Sequence, residues 1–257
     1  MTTAVAPLSA AQVQALRLLK NDFEYYAPRH LVLLDKTTGA QQPFSFNPPQ
    51  QIVHGAAQKM LHEVGYVRLI CVKARQQGVS TYITGRGFWR TSLTPNFRAE
   101  ILTHEDKATK NLLAMVKRYH ENCPAAVKPR ATQDAVNALA FGKLGSAYGL
   151  GTARSKGTGR SATARFFHGS EVGFWPGLKD NLAGIGQVIP LAEGTEAYLE
   201  STGNGRNEFY TMVVNALVDA TPISGPAMIG RARSLSRAIE LVLTLTTERI
   251  VSALPSQ

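Results

Sequence analysis

The sequence predicts an α/β fold with a central, mostly parallel sheet and helices on both faces. Short apolar segments rich in β-branched residues, among them residues 66–72 and 99–103, alternate with segments of helical periodicity. Four of the apolar segments end in small or polar residues. Because ligands bind at the carboxyl ends of the strands in a parallel sheet, the sequence also predicts one ligand site at that edge.

The composition indicates a packed, basic protein. Of the 257 residues, 44% are hydrophobic and 18% are charged, which is sufficient for a globular core. Lys and Arg number 28 against 18 Asp and Glu, a formal charge of +10, and half of these basic residues lie between Gly85 and Arg165. The excess favours a polyanionic partner, a nucleic acid or a nucleotide, although a soluble protein that is merely basic has the same composition.

Several classes of protein do not fit the sequence. Its two cysteines, Cys71 and Cys123, make no disulfide framework, so a reducing cytosol is expected. No apolar run approaches the length of a membrane span, and the N-terminus has no signal-peptide pattern. The chain also has no CxxC, HExxH or Gly-x-Ser-x-Gly motif, which argues against the corresponding redox, zinc and serine-hydrolase sites.

The N-terminal segment predicts a helix capped by Ser9 and stopped by Pro28, and then a strand over residues 31–34. A second helix is predicted from about residue 51 to residue 64. Gln50 precedes it, and a glutamine amide offers both the donor and the acceptor that adenine's N6/N7 edge requires. An ordinary polar helix start is the alternative interpretation of Gln50.

A candidate phosphate-binding loop follows the strand predicted at residues 66–72 and precedes a helix that ends near Thr94. Against the pattern G-x-x-x-x-G-K-[ST], Gly78 aligns with the second glycine and Ser80 with the magnesium ligand. Val79 occupies the usual lysine position. A lysine at the first position could reach the phosphates from the other side of the loop, with an arginine assisting. The predicted contacts are Lys73, Ala74, Arg75, Gln76, Gln77, Gly78, Val79, Ser80 and Thr81. The alternative interpretation is a basic strand end followed by a helix in a protein that binds no nucleotide.

The middle of the chain predicts a strand at residues 99–103, an amphipathic helix at 107–120 and a further strand and turn at about 145–153. The segment 154–161 is small, basic and rich in glycine. It suits contact with phosphates of a nucleic acid or of ATP, and it equally suits a solvated linker.

The segment 164–168 predicts a strand that runs into Ser170 and Glu171. P-loop ATPases present a magnesium-linked acid and a water-orienting carboxylate at such a strand end. Here Ser170 stands in place of the first acid, while Glu171 could still polarise water; a surface charge is the alternative. The predicted metal contacts are therefore Ser80 and Glu171. One more strand, near residue 198, ends in Ser201, Thr202, Gly203 and Asn204, before a helix at residues 207–217.

The order and spacing of these motifs resemble the ATPase domain of tailed-phage terminase large subunits, the DNA-packaging motors. The resemblance covers roughly residues 23–217. It is carried by residues 46–50, 73–81 and 103–105 with Asn111, by 151–153, by 167–172 with Trp175 and Pro176, and by 200–205 with Phe209 and Tyr210.

The resemblance implies a P-loop NTPase fold of the ASCE type, which uses ATP and Mg²⁺. It implies an ATPase domain at residues 1–220, of which 1–50 are an N-terminal helix and the lead-in to the adenine motif. It also implies that Lys73 is the phosphate-binding lysine, that Gln50 belongs to the adenine motif and that Glu171 is the catalytic carboxylate. The motif that couples hydrolysis to DNA movement would be Ser201, Thr202, Gly203 and Asn204. The arginine finger would be Arg160, or else Arg154.

The resemblance further implies double-stranded DNA, a terminase small subunit and a portal protein as partners. It implies a homo-oligomeric ring on the capsid and the cytoplasm of the bacterial host as the location, with no membrane. Two alternatives stay open: a helicase-like DNA-dependent ATPase of another pathway, and an inactive, truncated prophage remnant.

Residues 221–257 do not resemble the nuclease segment that follows this domain in the family. Their only acids are Glu240 and Glu248. We expect a divergent, poorly ordered tail, which has the character of a shifted reading frame, of a degenerate remnant or of a genuinely divergent terminus. Nuclease activity is not expected, since a two-metal site needs several carboxylates.

Overall fold

The computed structural model describes residues 9–135, 138–154, 163–218, 229–230 and 241–245. Its helices are α1 Ala10–Asn21, α2 Phe23–His30, α3 Pro48–Val64, α4 Val79–Leu93, α5 Asp106–Glu121, α6 Leu178–Val188 and α7 Glu208–Val218. Its strands are β1 Val32–Leu34, β2 Gln41–Pro43, β3 Val67–Lys73, β4 Arg98–Thr103, β5 Gln133–Ala135, β6 Ala138–Phe141, β7 Ser146–Thr152, β8 Phe166–Ser170, β9 Glu196–Ser201, β10 Ile229–Gly230 and β11 Leu241–Leu245.

Within these residues, nine strands form one sheet in the order β10-β11-β3-β9-β8-β4-β7-β6-β5. The six strands from β11 to β7 are parallel to one another, and β10, β6 and β5 at the two edges pair antiparallel. β1 and β2 form a separate antiparallel pair. The predicted central, mostly parallel sheet is therefore confirmed.

Successive residues of β3 enter two different cores, which shows that both faces of the sheet are covered. Leu69 and Cys71 belong to a core with α2, α3, α4 and α5, whereas Ile70 belongs to a second core with α6 and α7. Strand side chains alternate between faces, so the two cores lie on opposite sides of the sheet. Parallel strands buried on both faces need a nearly continuous apolar sequence, which β3 has.

An aromatic cluster fixes the N-terminal segment to α4. The Phe23 ring stacks on that of Trp89 at 5.3 Å between centroids and meets Tyr82 edge-on at 5.5 Å. The Trp89 indole N–H donates to the Leu19 carbonyl at 2.8 Å. These contacts attach α1 and α2 to the helix that begins at the candidate loop.

Two predicted helix boundaries are wrong. Pro28 does not stop the first helix, which already ends before Asp22. The Asp22 carboxylate accepts from the Tyr25 N–H and caps a second helix that extends past Pro28. A proline costs α2 one backbone hydrogen bond, and the helix tolerates that loss. The next helix begins at Pro48 rather than residue 51, because Asn47 caps it and a proline in the first turn has no N–H to leave unpaired.

Two short segments of residues 221–257, β10 and β11, pair with the sheet, and the expected poor order of this tail stays a prediction. β11 pairs with β3 in parallel, with Leu241 opposite Leu69 and Leu245 opposite Lys73. Its alternating Leu, Val and Thr residues favour a strand wherever an edge is available. The domain boundary at residue 220 stays a prediction. No helix in the described part of the chain is long and apolar enough to cross a bilayer.

Two helical glycines test how closely α4 packs on the sheet. A Cβ on Gly87 would lie 2.8 Å from the Phe166 ring, whereas a Cβ on Gly55, exposed on α3, would meet nothing within 4 Å. We expect Gly87→Ala to lower the free energy of unfolding by about 1–3 kcal/mol through overpacking. Gly55→Ala should raise it by about 0.5–1 kcal/mol through helix propensity. Urea unfolding measures both, and two equal stabilisations would contradict the close packing.

Candidate functional site

The ends of three neighbouring strands converge at the carboxyl edge of the sheet. Lys73 ends β3, Ser201 ends β9, and Ser170 ends β8 just before Glu171. The order β3-β9-β8 places β9 between the other two. The structure thus brings the candidate loop, Glu171 and the predicted coupling motif to one place.

The loop reaches α4 through two residues in the left-handed backbone region, Gln76 at φ 63° and Gly78 at φ 74°. A Cβ on Gly78 would lie 2.7 Å from the Gln50 side-chain nitrogen, so this position requires glycine. No side chain caps the start of α4. The first N–H groups of the helix are then available to an anion at this end.

Gln50 and Asn47 hold the loop from the start of α3. The Gln50 amide nitrogen donates to the Gly78 carbonyl at 2.9 Å, and its oxygen accepts from the Asn47 N–H at 2.9 Å. The Asn47 side-chain amide donates to the Gln77 carbonyl at 3.2 Å. Both polar atoms of Gln50 are thus engaged within the protein, and its contact with adenine stays a prediction.

Lys73 lies between two carboxylates. Its Nζ is 2.8 Å from Glu171 Oε1 and 3.0 Å from Glu200 Oε2, and only 6% of its side chain is exposed. Burial by itself lowers the pKa of the Lys73 ammonium, but the charges of Glu200 and Glu171 outweigh it and the net shift is upward. The lysine is therefore a buried, fully charged group.

Glu171 links Lys73 to the predicted coupling motif. Its second oxygen accepts from the Thr202 N–H at 3.0 Å and from the Thr202 hydroxyl at 3.1 Å, with the Ser201 hydroxyl at 3.4 Å. Glu171 also has φ 53°, a left-handed conformation that costs a non-glycine residue free energy. A strained backbone therefore presents this carboxylate to both neighbours.

Glu200 is the residue that the sequence interpretation missed as part of the site. It is fully buried, and its Oε1 accepts from the Ser80 hydroxyl at 2.8 Å and lies 3.3 Å from His168 Nε2. Burial raises the pKa of its carboxyl, but the His168 hydrogen bond, the Lys73 charge and the Ser80 hydrogen bond together lower it to about 2. A glutamate directly after the apolar pair Tyr198-Leu199 and directly before a polar strand end was the available signal.

The remaining predicted residues lie around this centre. The Val79 side chain is 1% exposed within the core, so it cannot take the place of the usual lysine on phosphate, whereas Arg75 is exposed on the loop. The Asn204 amide donates to the Gly173 carbonyl at 2.8 Å and fixes the 3₁₀ turn that follows Glu171. Arg154 is exposed just beyond the end of β7, and Arg160 lies outside the described residues.

The donor set suits a weakly held magnesium ion. The Ser80 hydroxyl gives its single proton to Glu200, which leaves its oxygen lone pairs for another partner. The described residues contain no group of three or more His, Cys, Asp and Glu side chains that could hold a metal by themselves. Mg²⁺ is commonly bound through one or two protein oxygens, water and substrate phosphates, and the residues present fit that mode.

Comparison with solved structures identifies the fold. The large terminase of bacteriophage HK97 superposes with a TM-score of 0.61 at 14% identity, over 76% of this chain and 40% of the other. A large terminase from a thermophilic bacteriophage gives 0.56 at 14% identity, over 83% and 48%. A mutant ATPase domain of the Thermus phage P74-26 large terminase gives 0.53 at 14% identity, over 79% and 82%.

The chain therefore has the P-loop NTPase α/β fold of phage large-terminase ATPase domains, as the sequence predicted. It spans less than half the length of the first two large terminases. Neither protein-family models nor curated protein sequences give a match. The similarity is thus one of fold.

The ionised Glu200 makes stability depend on pH. The folded protein keeps this carboxyl ionised where the unfolded chain takes up a proton, so stability falls as the pH drops from about 4.5 to about 2. We expect the native protein to lose up to about 3 kcal/mol more than Glu200→Gln across this window. Urea unfolding at a series of pH values measures the two curves. The exposed Glu193→Gln is the control and should follow the native curve; parallel curves for Glu200→Gln would contradict the assignment.

Proposed function

We propose that this protein is the ATPase motor of a phage terminase, which hydrolyses MgATP and couples hydrolysis to the packaging of double-stranded DNA. The observation that carries the proposal is the convergence at one sheet edge. An uncapped helix start, the buried cation of Lys73 and the carboxylate of Glu171 meet there, with 2.8 Å between the last two. Phosphoryl transfer needs little more than such a constellation, because catalysis is mostly positioning and electrostatic stabilisation.

Lys73 is proposed to change partners when ATP binds. In the structure its charge is shared by Glu171 and Glu200. The phosphates of ATP carry more negative charge than one carboxylate and would compete for Nζ at the loop. When bound, Mg²⁺ neutralises charge on the phosphate oxygens, with Ser80 and Glu171 as the predicted contacts. The stabilising arginine is Arg160 or Arg154.

Glu171 is then proposed to orient the attacking water. Once Lys73 turns to phosphate, one oxygen of Glu171 is released, while the other keeps its contacts with the Thr202 N–H and hydroxyl. A change at the carboxylate therefore reaches Thr202 directly, and from there the loop that leads into α7. This contact supports the proposed coupling role of residues 201–204.

DNA is proposed to bind through its phosphates. The formal charge is +10, and α5 exposes Lys107 and Lys110. Contacts of this kind carry no sequence information and weaken as salt rises. In the assembled motor we propose a homo-oligomeric ring on the capsid portal with a terminase small subunit, in the cytoplasm of the bacterial host.

The primary experiment measures magnesium-dependent ATP turnover of the full chain. We expect Lys73→Ala to reduce turnover by about 100-fold or more, the effect of losing one preorganised charged donor. The matched control is Lys59→Ala on the exposed face of α3, whose partner is the solvent-exposed Glu63 at 3.8 Å. It should leave turnover unchanged.

Duplex DNA and portal protein are then added to the same assay. Stimulation by DNA supports a DNA motor, and further dependence on portal protein distinguishes a packaging motor from a helicase-like ATPase. Absence of turnover in the native chain with and without DNA would indicate an inactive remnant. Equal turnover of Lys73→Ala and Lys59→Ala would show that Lys73 does not contribute to ATP hydrolysis.

A second variant tests Glu171. Glu171→Gln keeps the shape of the side chain but loses the charge that polarises water, so it should bind ATP and fail to hydrolyse it. Equilibrium binding and single-turnover hydrolysis separate the two steps, with Glu193→Gln as the exposed control. If Glu171→Gln weakens binding while the bound fraction turns over at the native rate, Glu171 is a binding residue instead.

A further inference from the structure

P-loop ATPases present a magnesium-linked acid at the end of the strand that precedes the catalytic carboxylate. This chain has no acid at that strand end. β8 ends in Ser170, and the next residue is Glu171. In the parallel register between β8 and β9, Ser170 lies opposite Glu200. A carboxylate that is absent from one strand is therefore present at the paired position of its neighbour.

Glu200 points to the face of the sheet that α4 covers. Its contact with Ser80, on the first turn of α4, shows this directly. His168, two residues before Ser170 on β8, contacts the same carboxylate at 3.3 Å. Because residues two apart on a strand share a face, a carboxylate at position 170 would project to the same side.

The Ser80 hydroxyl has one proton and two lone pairs. Its proton is given to Glu200 Oε1 at 2.8 Å, which fixes the rotation of the hydroxyl and turns its lone pairs away from the carboxylate. We propose that Glu200 is the positioning residue that orients Ser80 and Lys73 for MgATP and supplies the negative charge that Ser170 lacks. Carboxylates that orient metal ligands in this way typically change metal affinity by about 10–100-fold when removed.

A purely structural ion pair explains Glu200 less well. Glu196, on the same strand and the same face, is such a pair: Arg86 binds it through two nitrogens, and Tyr198 donates to it at 2.7 Å. Within the described residues, no arginine contacts Glu200. Its partners are the site lysine, the predicted metal ligand and His168. Moreover, a buried ion pair contributes little net stability, so stability alone does not account for this arrangement.

This inference rests on the proposed function, and the experiment separates the two. Binding of a fluorescent ATP analogue to the full chain is titrated with Mg²⁺. We expect Glu200→Gln to raise the Mg²⁺ concentration at half-maximal binding by about 10–100-fold. Glu193→Gln should keep the native midpoint. Mn²⁺ in place of Mg²⁺ gives a second readout, the electron paramagnetic resonance spectrum of the bound ion.

The outcomes are distinct. If the native chain binds the analogue and Glu200→Gln has the native Mg²⁺ midpoint, the role of Glu200 is refuted and the proposed function stands. If the native chain shows no magnesium-dependent binding, both are refuted. A raised midpoint only in Glu200→Gln supports the inference.

Two further variants test how Glu200 acts, and Ser80→Ala by itself gives a readout that does not require Glu200→Gln to fold. Ser170→Asp combined with Glu200→Gln returns a carboxylate to the paired position and should restore part of the native midpoint. Ser80→Ala should raise the midpoint by itself and add little to Glu200→Gln, because Glu200 is proposed to act through Ser80. Full additivity of the two changes, or no restoration by Ser170→Asp, would contradict the proposal.

Discussion

The organisation of the site depends on one buried positive charge. Lys73 ends β3 with 6% of its side chain exposed, and an ammonium group removed from water needs opposite charge close by. Glu171, which follows β8, and Glu200 on β9 supply it. The ends of β3, β8 and β9 thereby meet at the Lys73 Nζ atom. The strand order β3-β9-β8 brings these ends together. Phosphate would enter a site in which the cation is already positioned.

A second buried ion network holds α4 behind the loop. Arg86, 1% exposed, binds Glu196 at the start of β9, and burial is the main force opposing the ionisation of both. The attraction between the two charges outweighs the effect of burial. The pKa of the Glu196 carboxyl is therefore lowered. α4 therefore contacts β9 through Ser80 at the site and again through Arg86 and Arg90 in its later turns. Support from rigid elements is what precise positioning of reactive groups requires.

In the proposed motor, the same geometry would connect ATP hydrolysis to movement. Glu171 holds a left-handed backbone conformation while it contacts both Lys73 and Thr202. Such strain persists only where the surroundings impose it, and it concentrates at functional positions. A change in the partner of Lys73 alters the forces on Glu171 and, through it, on the loop that leads into α7. In the proposed motor, this is the shortest connection from the nucleotide to a moving element.

The alternation of the central strands and helices and the loop at residues 73–81 followed from the sequence alone, as did the position of Lys73 and Glu171 at strand ends on one edge of the sheet; the roles of these two residues stay predictions. These features are local: side-chain periodicity, a glycine at a turn and a polar residue after an apolar run act over a few residues. The proline rule failed at Pro28 because the cap at Asp22 decided where one helix ends and the next begins. The contacts of Glu200, the engagement of Gln50 by the Gly78 carbonyl and the pairing of β11 with β3 came only from the tertiary structure. Each depends on which distant segments become neighbours, and strand order and register are set by packing across the whole sheet rather than by adjacent residues.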